Sequence, residues 1–309
     1  MKVLITGGAG FIGSYIAKEL LRRNYDVVIL DIVPPHFHHD RLTYISGDVL
    51  DTEFVRNILI EYEIDAIIHL VGLPVVSQCK KNPDLSFKLN ALSVQSIMEA
   101  MRLSLCERVI FASSAAVYGI PNKNPVKETD SLVPNTLYGY HKLIGELAIR
   151  AYAHEYGIKG VILRLFNVFG SDPSIGKDVI SIFLRKVINR EKLTIYDPNK
   201  YRDFIHVDDV ARVFETCLRK MDLLFENTEN KITVFNVGTG SYLKIIEIVD
   251  IIRDVIDTPI NTEIIRTNDD GTGYFADITK MMRELNIKPK DARTAVTEFI
   301  RETLKRYLS

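Results

Sequence analysis

Lys2-Val3-Leu4-Ile5-Thr6-Gly7-Gly8-Ala9-Gly10-Phe11-Ile12-Gly13 is the stretch whose reading decides the fold. Its first half, Lys2–Thr6, is a short apolar run of the kind that fills a buried strand. The glycine cluster then opens directly into a segment where Ile12, Tyr15, Ile16 and Leu20 recur at helical spacing. Glycines at a strand-to-helix turn permit a tight reversal and let backbone N–H groups at the helix N-terminus approach a pyrophosphate closely. The next strand closes on Asp31, 18 positions after Gly13, near the spacing expected of a ribose-binding carboxylate. Turn, helix and carboxylate together point to a dinucleotide. A carboxylate here accepts from the adenosine hydroxyls and repels a 2′-phosphate, and Ile32-Val33-Pro34-Pro35 brings no arginine, so the expected cofactor is NAD rather than NADP.

Working outward, Asp26–Leu30, Leu42–Ser46, Ala66–Leu70, Arg108–Ala112 and Gly160–Leu165 are further candidate strands in β-α alternation. Continuously apolar strands of this kind belong to a parallel sheet covered on both faces. Between them, Val94, Ile97, Met98, Met101 and Leu105 mark a crossover helix. The expected fold is α/β: a doubly wound parallel (Rossmann) sheet with a smaller α/β substrate-binding domain. After Leu165 the rhythm becomes irregular: Gly170-Ser171-Asp172-Pro173 opens a loop, and a helix is predicted near Val179–Arg190. No repeat or flexible linker separates the parts, so the cleft between them is the default ligand site.

Composition narrows the function. The 39 Lys plus Arg against 40 Asp plus Glu leave a net charge of −1, which gives no field to attract nucleic acid or an anionic membrane. No run approaches the roughly 18 apolar residues of a membrane span, and the first apolar segment is too short for a signal peptide, so a cytoplasmic protein is expected. Cys79, Cys106 and Cys217 are widely spaced and odd in number, against a disulfide scaffold or structural zinc. His36, His38 and His39 crowd a polar loop and read as solvated surface; His69 and His206 read as packed core histidines, and no metal site is expected.

Tyr138-Gly139-Tyr140-His141-Lys142 sets a phenol and an ammonium four residues apart on one face of a predicted helix. A neighbouring cation stabilises phenolate and moves its pKa from about 10 towards the working range, as a general base needs. Strand Arg108–Ala112 delivers Ser113-Ser114 at its carboxyl end, the edge where open α/β sheets bind ligands. Asp48-Val49, after the third strand, fits either an Asx turn or a side chain reaching an adenine edge.

With these residues in place, the chain resembles, over nearly its whole length, the extended short-chain dehydrogenase/reductases of the nucleotide-sugar epimerase/dehydratase family. The nearest likeness is to the branch of 4-epimerases acting on UDP-glucose and UDP-galactose. Beside the glycine loop and the Tyr138/Lys142 pair, the markers are Gly47-Asp48-Val49, His69-Leu70-Val71-Gly72-Leu73, Ser113-Ser114-Ala115-Ala116-Val117-Tyr118-Gly119 and Leu163-Arg164-Leu165-Phe166-Asn167. Two more follow: Tyr201-Arg202-Asp203-Phe204-Ile205-His206-Val207-Asp208-Asp209-Val210 and Asn236-Val237-Gly238-Thr239-Gly240.

The resemblance implies an NAD-binding unit over 1–165, with about 204–235 packing back, and a nucleotide-sugar-binding unit over 166–203 and 236–309. It implies that Tyr138 takes the proton of the sugar 4-hydroxyl, that Ser114 bonds the same oxygen, and that Lys142 lowers the Tyr138 pKa and holds the nicotinamide ribose. Around NAD it sets Gly7, Gly10, Phe11, Ile12, Gly13, Asp31, Ile32, Asp48, Val49, Leu70, Val71, Gly72, Asn90, Ser113, Tyr138, Lys142 and Phe166. Around a UDP-hexose it sets Ser114, Tyr138, Asn167, Val179, Thr194, Tyr196, Arg202, Arg266, Asp270 and Tyr274, with Tyr274 gating the C2 substituent. The family's dehydratases carry an Asp-Glu pair after the serine and its decarboxylases a Glu, where this chain has Ala115-Ala116, which ranks epimerisation above both and leaves as alternatives a UDP-glucuronate or N-acetylhexosamine 4-epimerase, a nucleotide-sugar dehydrogenase, a 4-keto-sugar reductase and a non-catalytic NAD-binding regulator. Pro74 replaces a Lys that often touches the cofactor in bacterial members. A homodimer through Pro83–Leu105 and Leu137–Tyr156 is also implied.

Overall fold

The computed structural model describes the chain except residues 171–175, 227–228, 230, 257–258, 269–270 and 309. Ser171, Asp172 and Pro173 of the expected loop, and Asp270 of the expected substrate set, therefore lie outside the described residues.

Seven parallel strands form the central sheet. They are β1 (Lys2–Thr6), β2 (Asp26–Asp31), β3 (Leu42–Ser46), β4 (Ala66–His69), β5 (Arg108–Ser114), β6 (Lys159–Leu165) and an edge strand Ile232–Val237. Their spatial order is edge-β6-β5-β4-β1-β2-β3. This is the expected doubly wound α/β sheet, with its chain direction reversing between β1 and β4, where a crevice opens at the carboxyl edge.

The sequence of the strands explains why both faces are covered. Val3 and Ile5 join one core and Leu4 the other; Ile29 joins the first, Val28 and Leu30 the second. On the first face lie α1 (Phe11–Arg22) and helix Val207–Arg219, through Ile16, Leu20, Val213 and Phe214. Helices Thr52–Glu61, Ser93–Arg102 and Leu137–Tyr156 cover the second through Val55, Ile58, Ile97, Met101 and Ile149. Alternate side chains on each strand thus enter different cores.

A third core, with Phe169, Ile180, Leu184, Ile195, Ile248, Val296 and Ile300, belongs to the chain after β6. The helix predicted near Val179–Arg190 runs Val179–Ile188 and is capped by Asp178, which accepts from Ser181 N–H at 2.9 Å. The chain returns to the central sheet as the strand ending at Val237, and Ala276, Ile278, Met281 and Leu285 pack into the first core. All three cysteines are buried and unbridged. Among the described residues no helix is long and apolar enough to cross a membrane.

His69 is fully buried, with Thr6 Oγ1 at 2.7 Å and Ser93 Oγ at 3.1 Å from its ring nitrogens. Desolvation, aided by the Lys142 charge, pushes its pKa down to about 3. The folded protein refuses a proton that the unfolded chain accepts below about pH 6.5, so this stability is complete above that pH and lost as pH falls towards 3. Denaturant titrations should find His69 costing about 1.4 kcal/mol per pH unit in that window, a slope that His69→Asn removes. His206 is only part-buried: it caps helix Val207–Arg219 by accepting from Asp208 N–H at 3.3 Å and packs edge-on against Phe169.

Candidate active site

The glycine loop sits in the crevice between β1 and β4. Gly7 has φ +74, and a Cβ there would meet Val71 N at 3.0 Å. A Cβ on Gly13 would lie 2.4 Å from the Gly7 carbonyl oxygen, a backbone atom that cannot swing aside as a side chain can. Gly10 caps α1 without a side chain, and no acidic residue occupies the first turn, so the helix N-terminus is left free for an anion. Phe11 and Ile12 open the helix.

Asp31, at the end of β2, accepts from Ala9 N–H at 3.0 Å and Val33 N–H at 3.3 Å, tying the carboxylate to the loop. The next residue, Ile32, is 77% exposed. Asp48 makes an Asx turn, accepting from Leu50 N–H at 3.0 Å, and Val49 beside it is buried. Leu70, Val71 and Gly72 follow β4. These residues share the carboxyl edge and form a cradle that fits a dinucleotide: a close-packed glycine turn, a helix terminus that no side chain caps and a carboxylate at the next strand end. Gly13→Ala should weaken NAD binding by more than about tenfold, the equivalent of roughly one hydrogen bond, as read by calorimetric titration.

Two expected cofactor residues spend their side chains elsewhere. Asn90 is fully buried; its Oδ1 accepts from Leu73 N–H at 3.1 Å and its Nδ2 donates to Leu73 O at 3.2 Å, so it clamps the loop after Gly72. Ser113 Oγ donates to Glu146 Oε1 at 2.6 Å.

Helix Leu137–Tyr156 starts at Thr136, whose Oγ1 accepts from Gly139 N–H at 3.1 Å. Gly139 lets the helix press on the turn after Ser114, since a Cβ there would be 2.5 Å from Ala116 O. That approach brings Tyr138 beside Ser114, whose hydroxyl also accepts from Ala116 N–H at 3.2 Å. Lys142 follows one turn later, buried, donating to Ala112 O at 2.9 Å with its ammonium over the Phe111 ring.

The charge pattern corrects one expectation. Desolvation pushes the Tyr138 phenol up to about 12, and Ser114, not Lys142, is the neighbour that pulls it down. Lys142 is itself drawn down to about 8 by burial, against the pulls of Cys79 and Glu146. In the protein alone the phenol therefore holds its proton at neutral pH.

On the other side of the cleft, strand Gly273–Tyr274 pairs with Tyr201–Arg202, so Tyr274 and Arg202 are register partners. Tyr274 reaches across to donate to Ala115 O at 3.3 Å and packs edge-on against Phe166 at 5.9 Å. Burial raises its phenol while Arg202 pulls it down. Asp203 is fully buried and accepts from Thr239 N–H, Thr239 Oγ1, Gly240 N–H and Ala276 N–H at 2.7 to 3.2 Å. Asn167 pairs with Phe204 and donates through Nδ2 to Asp203 O at 3.1 Å.

Thr194 and Tyr196 share the outer side of a strand whose Leu193 and Ile195 are buried. Tyr196 pairs with Ile265, directly before the exposed Arg266, and Val179 begins its helix. Thus Ser114, Tyr138, Phe166, Arg202 and Tyr274 converge, while Thr194, Tyr196 and Arg266 gather on a separate two-stranded sheet.

Sequence reasoning missed a buried network beneath the site. Arg164, on β6, forks onto Glu146 with Nε at 3.0 Å and Nη2 at 2.8 Å, and its Nη1 donates to Tyr118 OH at 2.9 Å. An arginine inside an otherwise apolar strand was the available signal, because a buried guanidinium requires a partner.

Comparison with known proteins follows the same lines. A model of the NAD dependent epimerase/dehydratase family matches residues 3–238. A putative UDP-glucose 4-epimerase of Methanocaldococcus jannaschii is 36% identical over 261 residues, covering 82% of each chain. Among solved structures, UDP-glucose 4-epimerase of Thermotoga maritima with UDP-glucose covers 100% of both chains at TM-score 0.86 and 26% identity. That of Brucella ovis in complex with NAD covers 99% of this chain and 98% of its own at TM-score 0.88 and 27% identity.

Proposed function

Because this chain belongs to the NAD-dependent epimerase/dehydratase family, we propose that it interconverts UDP-glucose and UDP-galactose through a transient 4-keto sugar, with the hydride returned within the site. The carrying observation is Tyr138 beside Ser114, with Lys142 one helical turn on, next to Ala115-Ala116, where the sequence puts no carboxylate for elimination. When bound, NAD supplies the acceptor and the returning donor of hydride and, in its oxidised form, a positive charge near the phenol. Tyr138 takes the proton of the sugar 4-hydroxyl and gives it back to the same oxygen once the keto sugar has turned over, while Ser114 holds that oxygen. Lys142 holds the nicotinamide ribose through its ammonium.

In this reading Asp31 binds the adenosine ribose and the N-terminus of α1 the pyrophosphate. Arg202, with Asn167 beside it, receives the sugar diphosphate, for which a guanidinium fork is well shaped. Val179, Thr194, Tyr196 and Arg266 flank the nucleotide, and the bulk of Tyr274 disfavours an N-acetyl group at C2. Offered UDP-galactose and NAD, with no other oxidant or reductant, the purified protein should yield UDP-glucose on anion exchange. Accumulating NADH, or product only from another nucleotide sugar, would refute the assignment.

The reading includes a cytoplasmic homodimer. Buried, unbridged cysteines support a reducing compartment. On helix Leu137–Tyr156, Tyr140, Ile144 and Leu147 are 51%, 41% and 54% exposed at helical spacing, near exposed Leu85 and Leu92, which supports pairing with a second copy. Leu147→Glu should convert a dimer into a monomer in sedimentation runs.

A further inference from the structure

Beneath the catalytic residues lies a charged cluster with no access to solvent. Glu146 and Arg164 are 0% and 1% exposed, joined by two hydrogen bonds, and Ser113 Oγ donates to Glu146 at 2.6 Å. Ser113 and Arg164 are register partners on β5 and β6, so both face the same helix. That helix carries Lys142 one turn before Glu146, and Lys142 donates to Ala112 O, next to Ser113. Two successive turns of the helix are therefore fastened to the strand end that presents Ser114.

We propose that Glu146, locked by Arg164 and Ser113, is a positioning residue for the reaction: it holds Lys142 in place and keeps its ammonium charged.

This rests on the epimerase reading above, in which a charged Lys142 is needed. Burying an ammonium disfavours its charged form, and a carboxylate one turn away on the same helix opposes that loss. The other groups facing Lys142 are of different kinds. Asn90 Oδ1, across Gly72, is neutral, and Phe111 presents only its ring. His69 is kept neutral and would repel the ammonium if protonated. Cys79, on helix Val76–Lys81, pulls the same way and ahead of Glu146, but that pull requires a thiolate, and its thiol donates to Leu73 O at 3.2 Å. The Tyr138 phenol is protonated in the protein alone. Glu146 is thus the facing carboxylate among these groups. Arg164 fixes its rotamer and satisfies its remaining lone pairs, which a carboxylate inside a core requires.

The test compares wild type, Glu146→Gln, and Glu146→Gln/Arg164→Met. The single variant leaves Arg164 without its counter-charge and is prone to misfold; the double variant removes both charges together, a change that buried pairs tolerate. Two readouts are taken on folded protein: the pH profile of kcat, and the titration of the Lys142 side chain followed by NMR in lysine-labelled protein without substrate. The Lys142 signal is assigned with Lys142→Arg.

The expected result is that Lys142 loses its proton at lower pH in both variants, by roughly one unit in Glu146→Gln and less in the double variant. The alkaline limb of kcat should move with it. An unmoved Lys142 titration in either folded variant overturns the proposal and leaves the pair a structural brace. Failure of the epimerase reading would appear separately, as wild-type protein that does not convert UDP-galactose while its Lys142 titration still answers the question.

Discussion

Tyr138→Phe is expected to lower kcat by about 10²- to 10⁴-fold, the usual contribution of a positioned general acid–base group, while leaving NAD binding unchanged. Phenylalanine fills the space of the ring and removes only the oxygen beside Ser114. The helix would be unaffected, since its cap is Thr136 and its close approach depends on Gly139. The phenol starts from about 12 in the protein alone, so it becomes a base only as the bound ligands bring positive charge to it. Turnover should accordingly rise with pH until the phenol has lost its proton in the complex. Steady-state rates and cofactor content of the purified variant check both halves. Turnover surviving at the wild-type rate would remove Tyr138 from the chemistry.

The second large effect is on stability. Arg164→Met should destabilise the fold by about 3–5 kcal/mol, because Glu146 is left as an uncompensated charge where no water reaches. For a chain of this size the midpoint of thermal unfolding should fall by roughly 10 °C. The loss has a predictable pH dependence. An unpaired buried carboxylate prefers its protonated form, so its folded pKa rises above the unfolded value and the deficit shrinks as pH falls. Glu146→Gln/Arg164→Met should recover most of the loss at neutral pH. Calorimetry that finds Arg164→Met as stable as wild type would show that the pair contributes nothing.

The strands of the sheet could be read from sequence to within a residue or two, because a strand buried on both faces is apolar at every position, as Val3, Leu4 and Ile5 are. The edge strand Ile232–Val237 escaped that reading. It carries part-buried Ile232 and Thr233, and its parallel partner β6 is more than 60 residues away in the chain. In the site, Tyr138 and Lys142 were legible from spacing on one helix, and Gly13 and Asp31 from spacing across one β-α-β unit.

What spacing could not supply is burial. It decides that the Tyr138 phenol starts from about 12 and that Lys142 has fallen to about 8. It also makes Asp203 a hub for the Thr239 and Ala276 backbones. The Glu146–Arg164 pair joins a helix to a strand 18 residues on, and only the packing of that helix on β5 and β6 brings the two together.

The most direct test of the central claim follows the hydrogen at C4. UDP-glucose deuterated at C4 is incubated with the protein and NAD in ordinary water, and the UDP-galactose formed is examined by mass spectrometry and NMR. Return of the hydride within one site predicts that the product keeps its deuterium at C4 and that no NADH absorbance accumulates. Product that has exchanged its C4 label for solvent hydrogen, or label that appears in released NADH, would contradict it.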